Sequence, residues 1–393
     1  MTLVRLLRIT LSRPFYFAIL VPADAGSMGD QAMVQAIITY LQDQKKLKPR
    51  LYHVSSVDDW GPNMQGIAGF NATSVTDYPY LAVVSQISFL WSLRNVAEFG
   101  VIGADLMDGA YSEKAVLARL RLLGMVDKAG VPARLLGFSF YKVTTDNIVQ
   151  AYRRLSPTIK FFARDPISQA RFKEITGRHA SLVADLAFLL VPAVISQPAK
   201  DASHWLDVQK NSGKRIVAIN ANQLFTEQGW GDVNQAYVHC ITALADHDPN
   251  IRFLMIPHDY RQGIDDLQCL QNIHAQLAPD LQARCYIMAD PIAAAEIKAL
   301  LGKTELLVSG RMHAAIAALG QRVPVVCIVY VGKFEGLMQH VGLSDNLVTI
   351  DEAVNSNKLT EVALHCYQNR VAHKAQLESN IPRVLEMAKQ NFM

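Results

Sequence analysis

The chain has few cysteines and no long uninterrupted apolar run. Its 393 residues include five cysteines, an odd number, and no two of them stand in a C-x-x-C pair. Because disulfide frameworks and structural zinc sites need paired thiols, the sequence predicts a reducing compartment and no metal site. The most apolar stretch, residues 80–93, contains Ser85, Gln86 and Ser88. It is too short and too polar to span a bilayer.

An excess of charge of either sign is also lacking. The chain carries 38 basic and 35 acidic residues, a net charge of +3. The basic cluster at 45–50 is short and stands where a helix C-terminus would favour cations. Since nucleic-acid binding depends on many basic contacts to phosphates, we expect no nucleic acid partner. The composition, 50% hydrophobic and 19% charged, suits a globular chain long enough for two domains with their own cores.

The first residues allow more than one interpretation. Arg5, Arg8 and Arg13 precede the apolar residues 15–21, and the segment 23–25 is similar to a signal-peptide cleavage site. Cleavage there would delete the strand expected to lead into residues 26–30, so the sequence favours a structural segment. The three arginines suit contact with an anionic membrane surface or a solvated first element.

Short apolar runs alternate with helical patterns along the chain, which indicates βαβ units and parallel sheets. Asp30 is expected to cap a helix that runs to about Leu41, and residues 60–78 read as a long loop of the kind that carries function. Prolines interrupt the apolar pattern at 191–201, which predicts a hinge. We therefore expect domains at 1–200 and 201–393, with the last helix packing back across the hinge. The strands expected in them are 15–21, 51–54, 101–103, 133–137, 160–163, 215–220, 253–257 and 284–288.

The most informative stretch is 305–343, which reads as strand, loop, helix, strand, loop, helix. Leu306–Val308 is apolar and β-rich, and Met312–Leu319 is rich in alanine and followed by Gly320, expected at the helix C′ position. Val323–Tyr330 is a second β-branched run. In parallel sheets ligands bind beyond the carboxyl ends of the strands, where helix N-termini favour anions.

Charged and polar residues gather at these strand ends. Ser309, Arg311 and His313 follow the first strand, and Lys333 follows the second. An arginine can clamp a carboxylate or phosphate with two nitrogens, and a histidine exchanges protons near neutral pH. The alternative is an ordinary turn with a solvated arginine and a satisfied histidine. Gly29 would let the backbone approach a ligand or turn tightly, but no G-x-G-x-x-G indicates a dinucleotide.

These motifs resemble the polysaccharide pyruvyl transferase family. Its C-terminal signature combines S-x-R-x-H, a small-residue helix, a strand that begins with proline, and a Tyr-x-x-Lys turn. Three further segments are similar to the family's G-x-x-x-G-D-x-A, R-D-x-x-S and Asp-containing stretches. The matching residues here are 309–316, 323–325 and 330–333 for the signature, and 26–32, 163–168 and 185–188 for the other segments.

The chain departs from the family pattern in its first half. Met28 stands where asparagine is common, Gly103-Ala104-Asp105 where a run of three glycines is usual, and residues 137–140 replace a more glycine-rich loop. If that half binds the acceptor, as the resemblance implies, these changes bear on the acceptor and less on the donor.

The resemblance implies an α/β fold of two Rossmann-like parallel-sheet domains facing across a cleft, similar to GT-B glycosyltransferases. Residues 1–200 would form the acceptor side and 201–393 the phosphoenolpyruvate side. The implied reaction transfers pyruvate from phosphoenolpyruvate to two hydroxyls of a sugar, which makes a ketal and releases phosphate. It implies no cofactor. The sugar would belong to a polysaccharide or to its lipid-linked or nucleotide-linked precursor, in the cytoplasm or at the inner face of the membrane.

The resemblance also implies roles for individual residues. His313 would be the acid that protonates the methylene carbon of the donor, and Arg311 and Arg164 would clamp its anionic groups. Lys333 would be a third cation or structural, and Ser309, Gly29 and Asp165 would border the substrates. The sequence leaves three candidates for the base, which are Asp30, Asp165 and His258. For Asp30 and Asp165 a role as helix cap competes with that of base.

Two other functions fit the same fold. One is a nucleotide-sugar glycosyltransferase, in which Arg311 and Lys333 would hold a diphosphate. The other is a non-catalytic binding protein, against which the intact Arg311, His313 and Arg164 argue. The sequence specifies neither the sugar, nor its carrier, nor the oligomeric state.

Overall fold

The computed structural model describes residues 15–22, 26–45, 47–53, 69–71, 83–141, 144–227, 231–261, 263, 265–329 and 332–393. The N-terminal arginines, the small-residue segment 23–25, most of the loop expected at 60–78, and Tyr330 of the signature lie outside these residues. In the described part of the chain, no helix combines the length and apolar character needed to cross a bilayer.

The described residues divide into two compact units. The first contains the chain up to Ala25, Met33–Leu190 and Leu385–Met393, and the second contains Gly26–Ala32 and Val191–Val384. Each unit has its own parallel sheet and its own buried core. The glycine-containing segment 26–32 thus makes its contacts in the same unit as the 305–343 stretch.

The sheet of the first unit has strand order β3-β2-β1-β4-β5-β6-β7 among the described residues, and all pairs are parallel. Its central strands are buried on both faces, as apolar runs without alternation predict. Aromatic rings of Phe138, Tyr152 and Phe172 pack edge to face in its core. The strands are β1 (Tyr16–Leu20), β2 (Lys48–His53), β3 (Gly69–Asn71), β4 (Val96–Ala104), β5 (Ala133–Phe138), β6 (Lys160–Ala163) and β7 (Ser181–Leu182).

Five α-helices begin within residues 28–190 of the described chain, and 3-10 turns stand at Leu93–Asn95 and Leu186–Leu189. The second strand begins at Lys48, earlier than expected, and so includes Lys48 and Arg50 of the basic cluster. A π-helical turn, Leu41–Lys45, follows the first helix. The helices are α1 (Met28–Tyr40), α2 (Val83–Ser92), α3 (Glu113–Lys128), α4 (Asp146–Arg154) and α5 (Pro166–Thr176).

The C-terminal residues pack in the first unit. The ring of Phe392 stacks on Tyr40 and meets Phe17 edge on, with centroids 4.7 Å and 5.9 Å apart. Asn391 donates its side-chain amide to the carbonyl of Ala184 at 3.2 Å. These contacts anchor the end of the chain to the core of this unit.

The sheet of the second unit has strand order β10-β9-β8-β11-β12-β13, again parallel throughout. The chain leaves β8 toward one side of the sheet and later returns to β11 on the other side. The strand order therefore reverses between these two neighbours, where ligands bind in such folds. The strands are β8 (Arg215–Asn220), β9 (Ile251–Met255), β10 (Cys285–Ile287), β11 (Leu306–Ser309), β12 (Val325–Val329) and β13 (Leu347–Thr349).

The 305–343 stretch forms the strand, helix, strand and helix that its pattern predicts. One detail differs, because Gly320 is the last residue of its helix and the cap is Gln321. The left-handed residue of that turn is Arg322, with φ +63°. The helices from residue 191 onward are α6 (Gln197–Asn211), α7 (Leu224–Glu227), α8 (Val233–His247), α9 (Asp266–Ala275), α10 (Pro279–Gln282), α11 (Ala294–Leu301), α12 (Met312–Gly320), α13 (Phe334–Val341), α14 (Ile350–Asn355), α15 (Lys358–Gln368) and α16 (Arg370–Lys389).

Candidate active site

The ends of β8 and β11 meet in register at the point where the strand order reverses. Ser309 pairs with Asn220, and the hydroxyl of Ser309 donates to the side-chain oxygen of Asn220 at 2.8 Å. The Asn220 amide in turn donates to the carbonyl of Ile256, just beyond β9, at 3.0 Å. Both side chains are fully buried. Ser309 is therefore part of the frame that joins three strand ends.

Arg311 lies against two buried carboxylates. Its Nε and Nη2 donate to Oδ1 of Asp266 at 3.1 Å and 2.7 Å, and Nη1 lies 3.3 Å from Oδ2 of Asp259. Burial raises the pKa of Asp266, and the charge of Arg311 opposes that rise. The planar guanidinium suits this geometry, since it can bind one carboxylate with two nitrogens.

A second arginine completes the cluster and reaches the glycine segment. Nε and Nη2 of Arg261 donate to Asp259 at 2.9 Å and 2.6 Å. Ser27 forms an antiparallel bridge with Asp259, and the carbonyl of Gly26 accepts from the Tyr260 amide at 3.3 Å. The exit of β9 thus holds the start of α1 in place.

Gly29 lies directly against His313. A methyl group built on Gly29 would lie 2.6 Å from Cγ of the His313 ring, far inside van der Waals contact. Glycine within a helix costs about 0.5–1 kcal/mol relative to alanine. The close approach of the ring explains why glycine occupies this position. Two segments separated by most of the chain therefore meet at one imidazole.

His258 adds a second imidazole to the same cluster. It is 5% exposed, and its backbone amide donates to Oδ2 of Asp266 at 3.0 Å. Burial, together with the nearby His313 and Arg311, lowers the pKa of His258 to about 3. The His258 ring is therefore neutral at physiological pH.

The helix that carries His313 begins at this cluster. Its N-cap position is Arg311, whose own side chain makes no capping hydrogen bond, and the Arg311 amide donates to the Ser309 hydroxyl at 3.0 Å. Amides at such a helix start carry partial positive charge and favour an anion. Lys333, 8% exposed, stands at the equivalent position before α13, just beyond β12. The carboxyl edge of this sheet thus combines two helix starts, two imidazoles and several cations.

The sequence of the chain matches the model of the family described as polysaccharide pyruvyl transferase over residues 28–331. The chain belongs to this family. The match covers residues 28–32 of the glycine segment, the central segment and the S-x-R-x-H signature, and the structure places the first and last of these in contact.

The fold is similar to that of several solved sugar-processing enzymes. A glycosyltransferase from Rickettsia africae superposes with a TM-score of 0.61 at 11% identity, covering 97% of this chain and 99% of that one. A UDP-N-acetylglucosamine 2-epimerase of Listeria monocytogenes, described as putative, gives 0.60 at 10% identity, covering 97% and 94%. A trehalose-phosphate synthase from Burkholderia vietnamiensis gives 0.56 at 9% identity, covering 97% and 96%. These likenesses confirm the predicted class of two Rossmann-like parallel-sheet units of GT-B type.

The family's central R-D-x-x-S segment lies in the first unit, and its Arg164 and Asp165 form hydrogen bonds to residues of that unit. Arg164, 4% exposed, donates from Nη1 to Asp185 at 2.8 Å and from Nε to the Ser139 hydroxyl at 2.7 Å. Burial opposes the charge of Arg164, but Asp185, Asp105 and Asp165 raise its pKa. Asp165 caps α5, because its carboxylate accepts from the amide and hydroxyl of Ser168 at 2.7 Å and 2.6 Å.

The predicted cap at Asp30 was wrong. The helix begins at Met28, and the Ser27 hydroxyl accepts from the amide of Asp30 at 3.4 Å. Asp30 lies in the first turn of α1, next to Gly29 and half-buried. Its carboxylate is therefore not the group that caps the helix.

Sequence reasoning missed the two carboxylates that hold Arg311. Asp259 follows His258 at the exit of β9. Since His258 is a candidate base on sequence grounds, its neighbour Asp259 could have been considered with it. Asp266 gave no such signal, since it follows Asp265, the N-cap of α9, and reads as an ordinary helix start. Its contact with Arg311 joins residues 45 positions apart.

Proposed function

We propose that this protein transfers pyruvate from phosphoenolpyruvate to two hydroxyls of one sugar. The carbon–oxygen bond to the phosphate breaks, the methylene carbon gains a proton, and the former enol carbon forms two bonds to sugar oxygens. Of the two protons released by the hydroxyls, one balances the new methyl group and the other leaves with phosphate. The observation that carries the proposal is the contact between Gly29 and His313 at the start of α12.

His313 is the proposed acid. It is the second residue of α12, so its ring stands beside amides that favour a bound phosphate or carboxylate. An imidazolium can deliver a proton to a substrate atom that is bound beside it. The neighbouring Gly29 leaves the ring no room to move toward α1, which would hold it in one orientation for the transfer.

Arg311 supplies positive charge to the same place. Its three nitrogens contact Asp266 and Asp259. We therefore assign Arg311 to orienting the strand exit and to balancing the buried carboxylates. Its contact with phosphoenolpyruvate would be made through the edge of the guanidinium. Lys333, as a compact cation on a flexible stem, is assigned to the donor phosphate. Arg164 is assigned a structural role in the first unit, because Asp185 and Ser139 occupy it.

Asp30 is the proposed base for the sugar hydroxyls. Of the three candidates, Asp165 is taken up as a helix cap, and the pKa of about 3 makes His258 a weak proton acceptor. Asp30 is half-buried and adjacent to Gly29. A neutral His258 can still accept a hydrogen bond from a hydroxyl and orient it.

The acceptor would be a sugar of a polysaccharide or of a lipid-linked or nucleotide-linked precursor. The reaction as written needs no cofactor. The five cysteines are free in the structure, which supports our placing the reaction in a reducing compartment, the cytoplasm or the inner face of the membrane.

Phosphate release from phosphoenolpyruvate across a panel of sugar acceptors tests the proposal. The native protein should release phosphate only with a matching acceptor, and His313→Gln and Asp30→Asn should each lose about a hundredfold in rate. Lys200→Ala, at an exposed position of α6, is the control and should keep full activity. No release with any acceptor, combined with thermal stabilisation by a uridine diphosphate, would replace the proposal with the glycosyltransferase alternative.

A further inference from the structure

One end of α2 exposes large apolar side chains that the core does not explain. Ile87 is 60% exposed and Trp91 is 50% exposed, while Phe89 and Leu93 on the other side are fully buried. Residues four apart share a helix face, so Ile87 and Trp91 form one exposed apolar stripe. The helix is thus apolar on its buried side and again on the side toward solvent.

Phe15 extends this stripe at the amino-terminal edge of the first unit's sheet. Phe15 is 54% exposed, and its amide donates to the carbonyl of Asn95, just after α2, at 3.0 Å. The Lys48 amide donates to the Phe15 carbonyl at 2.9 Å, and Nη1 of Arg50 donates to the carbonyl of Ser92 at 2.7 Å. The end of α2 and the starts of β1 and β2 are therefore joined by hydrogen bonds.

Basic side chains surround these apolar ones. The guanidinium of Arg94 lies 4.8 Å from the ring centroid of Trp91, and that of Arg50 lies 3.9 Å from the Tyr16 ring. Lys45 and Lys48 are exposed in the segment that leads into and starts β2, which also contains the exposed Asp43, and Glu98 near the start of β4 is paired with Arg134. The amino-edge patch is defined by three apolar and four basic residues, namely Phe15, Ile87 and Trp91, and Lys45, Lys48, Arg50 and Arg94.

We propose that the amino-edge patch binds an anionic lipid surface. Tryptophan and arginine are amphipathic and suit the boundary between headgroups and acyl chains. Exposed apolar residues with basic neighbours bind membranes through insertion and charge together. The carboxyl ends of the same strands lie at the opposite edge of this sheet, so lipid contact leaves its ligand edge open.

A second copy of the chain fits the patch less well. A two-fold interface places the same patch on both sides, so the basic set Lys45, Lys48 and Arg94 would face the same basic set of the second copy. Like charges opposed in this way disfavour association. An anionic bilayer offers the opposite sign of charge and an apolar layer beneath it.

Co-sedimentation with vesicles tests the inference. The native protein should pellet with vesicles of equal parts phosphatidylglycerol and phosphatidylcholine, less with phosphatidylcholine alone, and less at high salt. The double variant Ile87→Ser/Trp91→Ser and the charge reversal Arg94→Glu should each lower the partition coefficient about tenfold. Ile87→Ser alone should show a smaller loss, which guards against misfolding of the double variant.

The matched control replaces apolar residues of similar exposure in the second unit. Val208 and Val371 are 44% and 75% exposed, and Val208→Ser/Val371→Ser should leave vesicle binding unchanged. An equal loss in the control, or no pelleting with either vesicle, overturns the proposal. Sedimentation velocity adds a third outcome: a dimer that Ile87→Ser dissociates, without vesicle binding, would assign the patch to a second copy.

Discussion

Two strand-to-helix exits of this protein look alike in sequence and differ in structure. At the end of β6, Arg164 and Asp165 lead into α5, whose first turn Asp165 caps. At the end of β11, Ser309 and Arg311 lead into α12, where the side chain of the N-cap residue Arg311 makes no capping hydrogen bond. One helix start is capped by the side chain of its N-cap residue, and the other is not. An arginine at a strand exit is therefore evidence for a site only when the neighbouring amides are not already occupied.

Arg164 and Arg311 are also alike in being buried beside carboxylates. Arg164 has 3% of its side chain exposed beside Asp185, and Arg311 has 11% exposed beside Asp266 and Asp259. Both are ion-paired, so their charges alone do not separate structural from functional roles. The difference lies in the imidazoles near Arg311, since His313 and His258 lie close enough to Arg311 and to each other to share electrostatic effects.

The largest expected effect breaks the pair in the first unit. Arg164→Met leaves the Asp185 carboxylate buried without its cation and should lower the free energy of unfolding by about 3–5 kcal/mol. The double variant Arg164→Met/Asp185→Leu removes both charges and should recover most of that loss. Urea denaturation measures the stability, and phosphate release measures the activity. A double variant that is stable but inactive would show that Arg164 contacts substrate.

The second prediction concerns the contact between Gly29 and His313. Gly29→Ala forces the His313 ring or the start of α1 to move, because the new methyl group would overlap the ring. A displacement of about 1 Å can cost about a hundredfold in rate, so we expect a loss of that size in phosphate release. The matched control is Gly124→Ala in α3, where the added methyl group meets Leu155 at an ordinary 3.4 Å.

The control variant Gly124→Ala should be slightly more stable than the native protein. Alanine within a helix is favoured over glycine by about 0.5–1 kcal/mol, so Gly124→Ala should unfold at a slightly higher temperature with unchanged activity. If Gly29→Ala is as active as the native protein, His313 does not need its present position.

The third prediction uses the depressed pKa of His258. The folded protein keeps this ring neutral down to pH about 3, whereas an unfolded histidine takes a proton near pH 6.5. Stability due to the neutral ring is therefore full above pH 6.5 and is lost as the pH falls toward 3. At pH 5 the loss should be about 2 kcal/mol relative to pH 7.

The comparison with His258→Gln isolates this contribution, since glutamine does not titrate. Urea denaturation gives the free energy of unfolding at pH 7 and pH 5. The decrease between the two pH values should be about 2 kcal/mol smaller in the variant than in the native protein. Equal pH effects in the two proteins would mean that His258 is protonated in the folded state.

The smallest expected effect concerns the loop where the first unit departs from its family. Ala104 has φ +47°, a conformation that costs an L-residue about 1–2 kcal/mol and glycine little. Ala104→Gly should therefore raise the free energy of unfolding by up to about 1 kcal/mol. Ala118→Gly, within α3, should lower it by at least about as much. A loss of stability in both variants would contradict strain at Ala104.

Sequence patterns predicted much of the second unit. The short β-branched runs around Leu307 and Val326 and the alanine-rich helix between them have the lengths and endings of a βαβ unit, and local signals of this kind survive folding. Segment Ser27–Asp30 also carried the S-x-x-D pattern of a helix start. The prediction names Asp30 as the N-cap, whereas the hydroxyl of Ser27 accepts from the helix. The pattern alone does not separate the two, because serine and aspartate are both strong N-caps.

The pairing of distant residues could not be predicted. Asp266 reads as a helix start, and only the three-dimensional return of α9 brings it to Arg311. The same limit applies to Gly29, whose neighbour His313 is separated from it by most of the chain. Spacing encodes local structure, whereas these contacts depend on how the sheet edge assembles.

The most direct test of the account is calorimetric titration of phosphoenolpyruvate into three proteins. The native chain and Arg164→Met/Asp185→Leu should bind it with similar affinity, and His313→Ala should bind it at least about tenfold more weakly. Binding that survives in His313→Ala but disappears in the Arg164 double variant would contradict the account and move the donor site to the first unit.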